Sequence, residues 1–393
     1  MKHLVICCDG TWKRADEQNV SNIEKIARAI DPVPPGGPPQ VVYYTSGVGT
    51  GATRAERMFG GAFGLGLDAA IIGAYRFLAL NYEPGDEVYV FGFSRGAYTA
   101  RSLVGMIAAI GLLTPDGVVR NRLGSAITVY RNRPRPGANP HPEAVKAVDD
   151  FREFCYCDTD VKIRFLGVFD TVGSLGVPGV SGRKYRFHNV ELTAQVAYAR
   201  QALALDERRR PFAPSVWRQG DNTRTDVKQV WFEGVHTDIG GGYPDSALSD
   251  LTLTWMIDEA RNCRLAFHQE RVDVNLQAKR AVEPHDSMTA GYRMVGLVGA
   301  ARQRLRLDDG SGSRFRGGWR LLEACGTDDR NDAPRDWAVR IAAPAYEHWK
   351  AAPEKGVRAA PNVGWWIDEL RRRKIDPESR VERLPWPVPV AST

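Results

Sequence analysis

Several things are scarce in this sequence. Six of its 393 residues are cysteine, too few and too scattered for a disulfide framework. Cys7 and Cys8 lie in an apolar run and read as buried thiols. Cys155 and Cys157 have no second pair near enough to complete a zinc ribbon. A reducing compartment is the expectation. No apolar run is long enough to suggest a membrane span. The most apolar window, residues 60–80, is broken by Asp68, Arg76 and several glycines and reads as a buried helix. Leu4–Cys8 is too short for the core of a secretory signal. The expected localisation is therefore cytoplasmic, with any export by a signal-independent route. Charge of one sign is scarce too. Lys and Arg number 53 and Asp and Glu 47, leaving +6, too thin an excess to argue for a nucleic-acid partner. The densest basic stretch, Arg302–Arg320, sets six Arg against Asp308 and Asp309 and reads as a solvated face.

The composition that remains is globular: 43% hydrophobic and 25% charged over a chain long enough for one large domain or two ordinary ones. Leu4–Cys8, Val41–Tyr44, Glu87–Phe91, Val161–Phe169 and Val227–Val235 read as strands, the first of them ending at Asp9-Gly10. Helices are expected over Asn22–Ile30, Leu67–Leu80 and from Ala100 onward, where Leu103, Val104, Ile107 and Ala108 continue an apolar stripe. The Ala-rich stretch Ala194–Glu207 also reads as helix. Strands alternating with helices predict an α/β fold with a mostly parallel sheet over residues 1–267. Two excursions, at about 114–160 and 175–226, are candidates for a cap or lid. Residues 268–393 are expected to pack on that domain or complete it.

Chemistry concentrates where strands end. Gly92-Phe93-Ser94-Arg95-Gly96 fits a G-x-S-x-G nucleophile elbow between a strand and a periodic helix. Such a turn is too tight for side chains at the glycine positions, and the helix that follows aims its positive end at the nucleophile. A serine needs a base, and the base needs an orienting acid. Asp170 and His236 each end a later predicted strand, on the same edge as Ser94, in the chain order Ser, Asp, His. Asp238 competes with Asp170 as the acid, and His188 and His285 compete with His236 as the base. An oxyanion hole needs two backbone N–H groups. Arg95 follows the nucleophile, and Gly10 or Thr11 follows the first strand. Asp9 beside them either belongs to that loop or anchors it, by pairing with Arg95 or by capping. The glycines at 47–51 and 60–66 lack the Lys-Ser/Thr of a P-loop. No metal and no cofactor is expected.

Together the stretches Cys8–Trp12, Gly47–Thr50, Asn81–Asp86, Phe91–Arg101, Leu166–Gly176, Ala204–Arg208 and Trp231–Tyr243 resemble one family. It is a family of α/β-hydrolase domains that includes the first lipase-effector class of bacterial type VI secretion. The resemblance implies a doubly wound α/β-hydrolase sheet and a Ser94–Asp170–His236 triad. It also implies carboxylic-ester hydrolysis, with phospholipid as the effectors' substrate. Transient contact with a membrane surface, and an immunity or secretion partner for an effector, follow from the same likeness. Other readings remain: hydrolysis of a small non-lipid ester, thioester or amide, or a binding module that keeps the fold without the chemistry.

Overall fold

The structure is a computed structural model that describes residues 1–10, 19–47, 61–134, 141–157, 161–172, 192–217, 224–276, 283–288, 315–322, 325–327, 334–336, 338–355 and 360–385. Thr11, most of the Gly47–Gly51 loop, the end of the 166–176 motif, His188 and most of Arg302–Arg320 lie outside the described residues.

The strands are β1 (His3–Cys8), β2 (Gln40–Thr45), β3 (Glu87–Phe93), β4 (Lys162–Phe169), β5 (Val196–Ala204) and β6 (Asp226–Phe232). Further on come two small hairpins, β7 (Phe315–Arg316) with β8 (Trp319–Arg320) and β9 (Cys325–Thr327) with β10 (Pro334–Asp336), then β11 (Val339–Ala342) and β12 (Val381–Glu382). Eight of them form one sheet in the order β12-β11-β6-β5-β4-β3-β1-β2, and every pairing in it is parallel. The chain steps outward from β1 to β2, then crosses to β3 on the other side. β1 and β3 therefore flank the point where the winding reverses. In a doubly wound sheet that crevice, at the carboxyl ends, is where sites form.

Parallel strands are covered on both faces and lose the alternation of a half-exposed strand. All six residues of β1 are buried. Leu4, Ile6 and Cys8 pack into one core with the helices Gly61–Asn81 and Arg95–Ile110, while Val5 and Cys7 pack into the opposite core with helices Asn22–Ala29 and Ala247–Asn262. This is a doubly wound α/β-hydrolase-like architecture. Among its described residues the 114–160 excursion holds three helices, Pro115–Val119, Leu123–Asn132 and Pro142–Arg152. Ala126, Tyr130 and Phe151 bury them in the first core beside the two long helices.

One expectation fails. Ala194–Glu207 is not helical: Val196–Ala204 is β5, an inner strand hydrogen-bonded to β4 and β6, so the 175–226 stretch contains part of the sheet itself. Alanine favours helix by a few tenths of a kcal/mol per residue, which a ladder on both sides outweighs. The small Ala199, Ala202 and Ala204 are fully buried there. Beyond residue 267, β11 joins the edge at β6 and β12 joins β11. A third core, built on Trp231, Ile341, Val363 and Trp366, holds the helices Ala343–Lys355 and Pro361–Arg372 against that edge. Among the described residues no helix is long and apolar enough to cross a membrane.

Candidate active site

The carboxyl edge of the sheet is stitched beyond the last ladder pairs. The Ser94 N–H donates to the Phe169 carbonyl at 3.0 Å, the Asp170 N–H to Ala202 at 2.7 Å, and the Leu205 N–H to Phe232 at 2.9 Å. The residues just past β3, β4, β5 and β6 are thereby held side by side.

Ser94 sits at φ 57° and ψ −118°, in the left-handed half of backbone space, and starts the helix Arg95–Ile110. A non-glycine residue pays a strain of order 1–3 kcal/mol there. The two glycines make the turn feasible. A Cβ on Gly92 would lie 2.6 Å from both the Ala97 Cα and the Gly96 oxygen. One on Gly96 would overlap the carbonyl oxygens of Cys8 and Asp9. The elbow is thus wedged against the end of β1.

His236 opens a short helix, His236–Gly240, just past β6. Its Nε2 lies 2.8 Å from Ser94 Oγ and its Nδ1 lies 2.6 Å from Asp170 Oδ2. A carboxylate only accepts, so Nδ1 carries the proton and Nε2 is left to accept from the serine hydroxyl. Phe93 packs at 4.8 Å on the imidazole and Phe212 meets it edge-on at 4.9 Å. The three side chains are almost completely buried, with Ser94 7%, His236 5% and Asp170 0% exposed.

The other candidates fall elsewhere. Asp238 accepts from the Val235 N–H at 2.9 Å, capping the helix that carries His236, and pairs with His285 Nδ1 at 2.7 Å. It supports the histidine's backbone, and His285 is spent on Asp238. The Gly10 N–H, a candidate oxyanion donor, is bonded within its own loop, to Asp9 Oδ1 at 2.6 Å. Asp9 also accepts from Ser21 Oγ at 2.6 Å and from the Tyr44 hydroxyl at 2.7 Å, so it ties the loop after β1 to β2 and to the helix Asn22–Ala29. Arg95 is the first residue of the elbow helix, where backbone N–H groups point out of the helix end. Burial pushes its guanidinium down to about 10.

Two further carboxylates border the site. Glu207 accepts from the His236 N–H at 3.3 Å and from Arg209 at 2.7 Å. Burial alone would raise it, but Arg209 and Arg320 outweigh that and hold it below the usual range. For Asp206 the balance falls the other way. Burial first, and then Glu233 and Asp238, push it up to about 7 despite the hydrogen bond from the Gly234 N–H and the opposing influence of His348.

Sequence reasoning missed Arg320. Its stretch reads as a solvated face, yet Arg320 is 0% exposed. Its Nη1 donates to Asp170 Oδ1 at 2.7 Å and to the Ala204 carbonyl at 2.9 Å. Its Nη2 donates to Asp170 Oδ2 at 3.0 Å and to the Phe212 carbonyl. Burial alone would raise Asp170. The Arg320 charge and the His236 hydrogen bond reverse this and hold the carboxyl far below the usual carboxylate range. A signal for the hairpin exists, since Gly317-Gly318 between short flanking runs is a two-residue hairpin turn. Nothing local says which group the arginine meets.

A doubly wound parallel sheet with serine, histidine and aspartate in line at its carboxyl edge is the arrangement of the α/β-hydrolase class. The chain belongs to the family described as "T6SS, Phospholipase effector Tle1-like, catalytic domain", which matches residues 2–259. It is also similar to an uncharacterized protein of Saccharomyces cerevisiae, 30% identical over 227 residues, covering 54% of this chain and 32% of the yeast protein. Two solved structures resemble it distantly. One is the Tle1 effector bound to the VgrG spike of the type VI secretion system, at 21% identity and TM-score 0.34, covering 61% of this chain and 51% of that one. The other is an uncharacterized protein from Pseudomonas aeruginosa, at 16% identity and TM-score 0.41, covering 96% of this chain and 63% of that one. The chain thus spans about a third of the yeast relative and less than two thirds of either structure.

Proposed function

We propose that the chain is a serine hydrolase of carboxylic esters, acting on phospholipid through a Ser94–His236–Asp170 triad. One observation carries the reading: the unbroken line from Ser94 Oγ to His236 Nε2, 2.8 Å, and from His236 Nδ1 to Asp170, 2.6 Å. Ser94 Oγ attacks the ester carbonyl as His236 takes its proton. Asp170 fixes the imidazole tautomer and stabilises the imidazolium. The tetrahedral oxyanion is held by the Arg95 N–H at the start of the helix, and the sequence offers Thr11 as the second donor. His236 returns the proton to the leaving alcohol, and an acyl-enzyme remains. Water, activated by His236, then releases the acid.

The family supplies the lipid part of this reading. A phospholipid substrate calls for transient contact with a membrane surface. The effector role would add delivery by the type VI machine and an immunity partner. The test compares the protein with Ser94→Ala on p-nitrophenyl esters of increasing chain length and on phospholipid vesicles. The variant should lose turnover by a factor on the order of 10³–10⁶, and wild type should release fatty acid from the vesicles. Unchanged turnover in Ser94→Ala would sink the triad. Turnover limited to short soluble esters would replace phospholipid with a small-ester substrate.

A further inference from the structure

We propose that Arg320, from the segment beyond the family-matched region, is a positioning residue of this active site: it clamps Asp170 so that His236 faces Ser94. The inference rests on the triad reading above. Both oxygens of Asp170 are engaged by one guanidinium in a fork, at 2.7 and 3.0 Å. All four N–H bonds of its terminal nitrogens are used, and the other two go to the backbone at the end of β5 and to Phe212. One side chain therefore joins the acid, the neighbouring strand and the turn whose ring touches His236.

A surface ion pair could break without consequence, but this one cannot. Arg320 and Asp170 are both fully buried, and a buried charge stripped of its partner is strongly disfavoured. The arginine is itself held from behind. Gly317 and Gly318 take φ of 56° and 85° and turn β7 into β8. Trp319 lies under Arg208 at 5.1 Å, and Arg316 lies over Trp365 at 4.7 Å on the helix Pro361–Arg372. The hairpin, through that helix, rests on the third core.

The clamp has an electrostatic consequence. The charged groups facing Asp170 are His236 from the end of β6 and Arg320 from the hairpin, with Glu207 and Arg209 alongside on the loop after β5. A fixed cation keeps Asp170 ionised. Removing the cation favours protonation of the carboxyl, which moves the acid side of the rate profile upward.

The experiment uses the full chain, p-nitrophenyl butyrate and a fluorophosphonate probe, with wild type, Ser94→Ala, Arg320→Met and Arg320→Lys in parallel. Folding is followed by circular dichroism. Arg320→Met should lower kcat/KM by about 10²-fold at its optimum, the scale of a small misplacement at a reacting centre. Its acid limb should move up by roughly one pH unit, as expected when a neighbouring opposite charge is lost. Arg320→Lys keeps the charge and loses the fork. Its limb should stay near that of wild type while kcat falls. An unmoved acid limb in folded Arg320→Met would overturn the inference. So would a wild-type kcat in Arg320→Lys, which also decides the matter if the Met variant does not fold. Failure of the underlying reading looks different: Ser94→Ala would keep its turnover, or wild type would neither turn over nor take the probe.

Discussion

Ser94 and Asp170 end neighbouring strands, and both stand at positive φ, 57° and 38°, yet they are held by opposite means. The nucleophile is held by shape. Its glycines sit within two residues of it, and what they press against is the end of β1 and the first turn of its own helix. The acid is held by charge, from an arginine 150 residues further along the chain. Steric demands of the first kind restrict residue types locally and leave a motif. An electrostatic partner of the second kind leaves none, because any of several arginines in a basic stretch could supply it.

The comparison can be broken at either end. The largest effect should come from Asp170→Asn. Turnover should fall by a factor on the order of 10⁴, the scale of losing the orienting acid of a triad. The protein should also lose about 3–5 kcal/mol of stability, because Arg320 would be left as a buried charge without an anion. Steady-state kinetics and urea unfolding measure the two, and an asparagine variant as stable as wild type would show that charge does not hold the acid.

Gly96→Ala probes the other end. A single methyl would collide with the Cys8 and Asp9 carbonyls, and neither can yield without moving β1. A loss of about 4 kcal/mol or more is expected, the range of severe single substitutions, and it should show as a shifted denaturation midpoint. A midpoint equal to that of wild type would mean that shape is not what fixes the elbow.

Asp206 sharpens the contrast, since it is a buried carboxyl at the same edge that, among the described residues, no arginine clamps. Its folded value is pushed up to about 7, against about 3.9 for an unfolded aspartate. Between those values the folded state holds a proton that the unfolded state has released. Stability therefore falls as pH rises through this window and levels off above it. Asp206→Asn keeps an oxygen for the Gly234 N–H and removes the penalty. It should gain about 1–3 kcal/mol at pH 8, a gain that shrinks toward zero near pH 4. Thermal melts across that range would record it, and a pH-independent difference would contradict it. Asp170 has the opposite sign: its value is lowered, so its contribution is complete above the unfolded value and is lost only in strong acid.

Much of this architecture is legible in the sequence wherever a local pattern has one physical meaning. β1 shows as an unbroken apolar run because both of its faces are covered. The elbow shows because only glycine fits beside it, and the ends of β4 and β6 show as strands running into Asp170 and toward His236. β5 does not show, because its alanines favour one structure in isolation and another between two strands. The role of Arg320 does not show either. A count of charges along the chain cannot distinguish an arginine facing water from one facing a carboxylate in the interior.

The placement of Cys7 and Cys8 on β1 has a practical reach. The two thiols point into opposite cores, and burial first, with Asp9 adding to it, pushes Cys8 up to about 12 and Cys7 well above its ordinary value. Alkylating reagents consume only thiolates, so neither residue reacts while the strand is in place, whereas Cys157 is exposed. Labelling of residues 7 and 8 by an alkylating mass tag then reports opening of the sheet between β2 and β3, and gives its rate where alkylation outpaces reclosing. The inner strand beside the nucleophile carries its own clock.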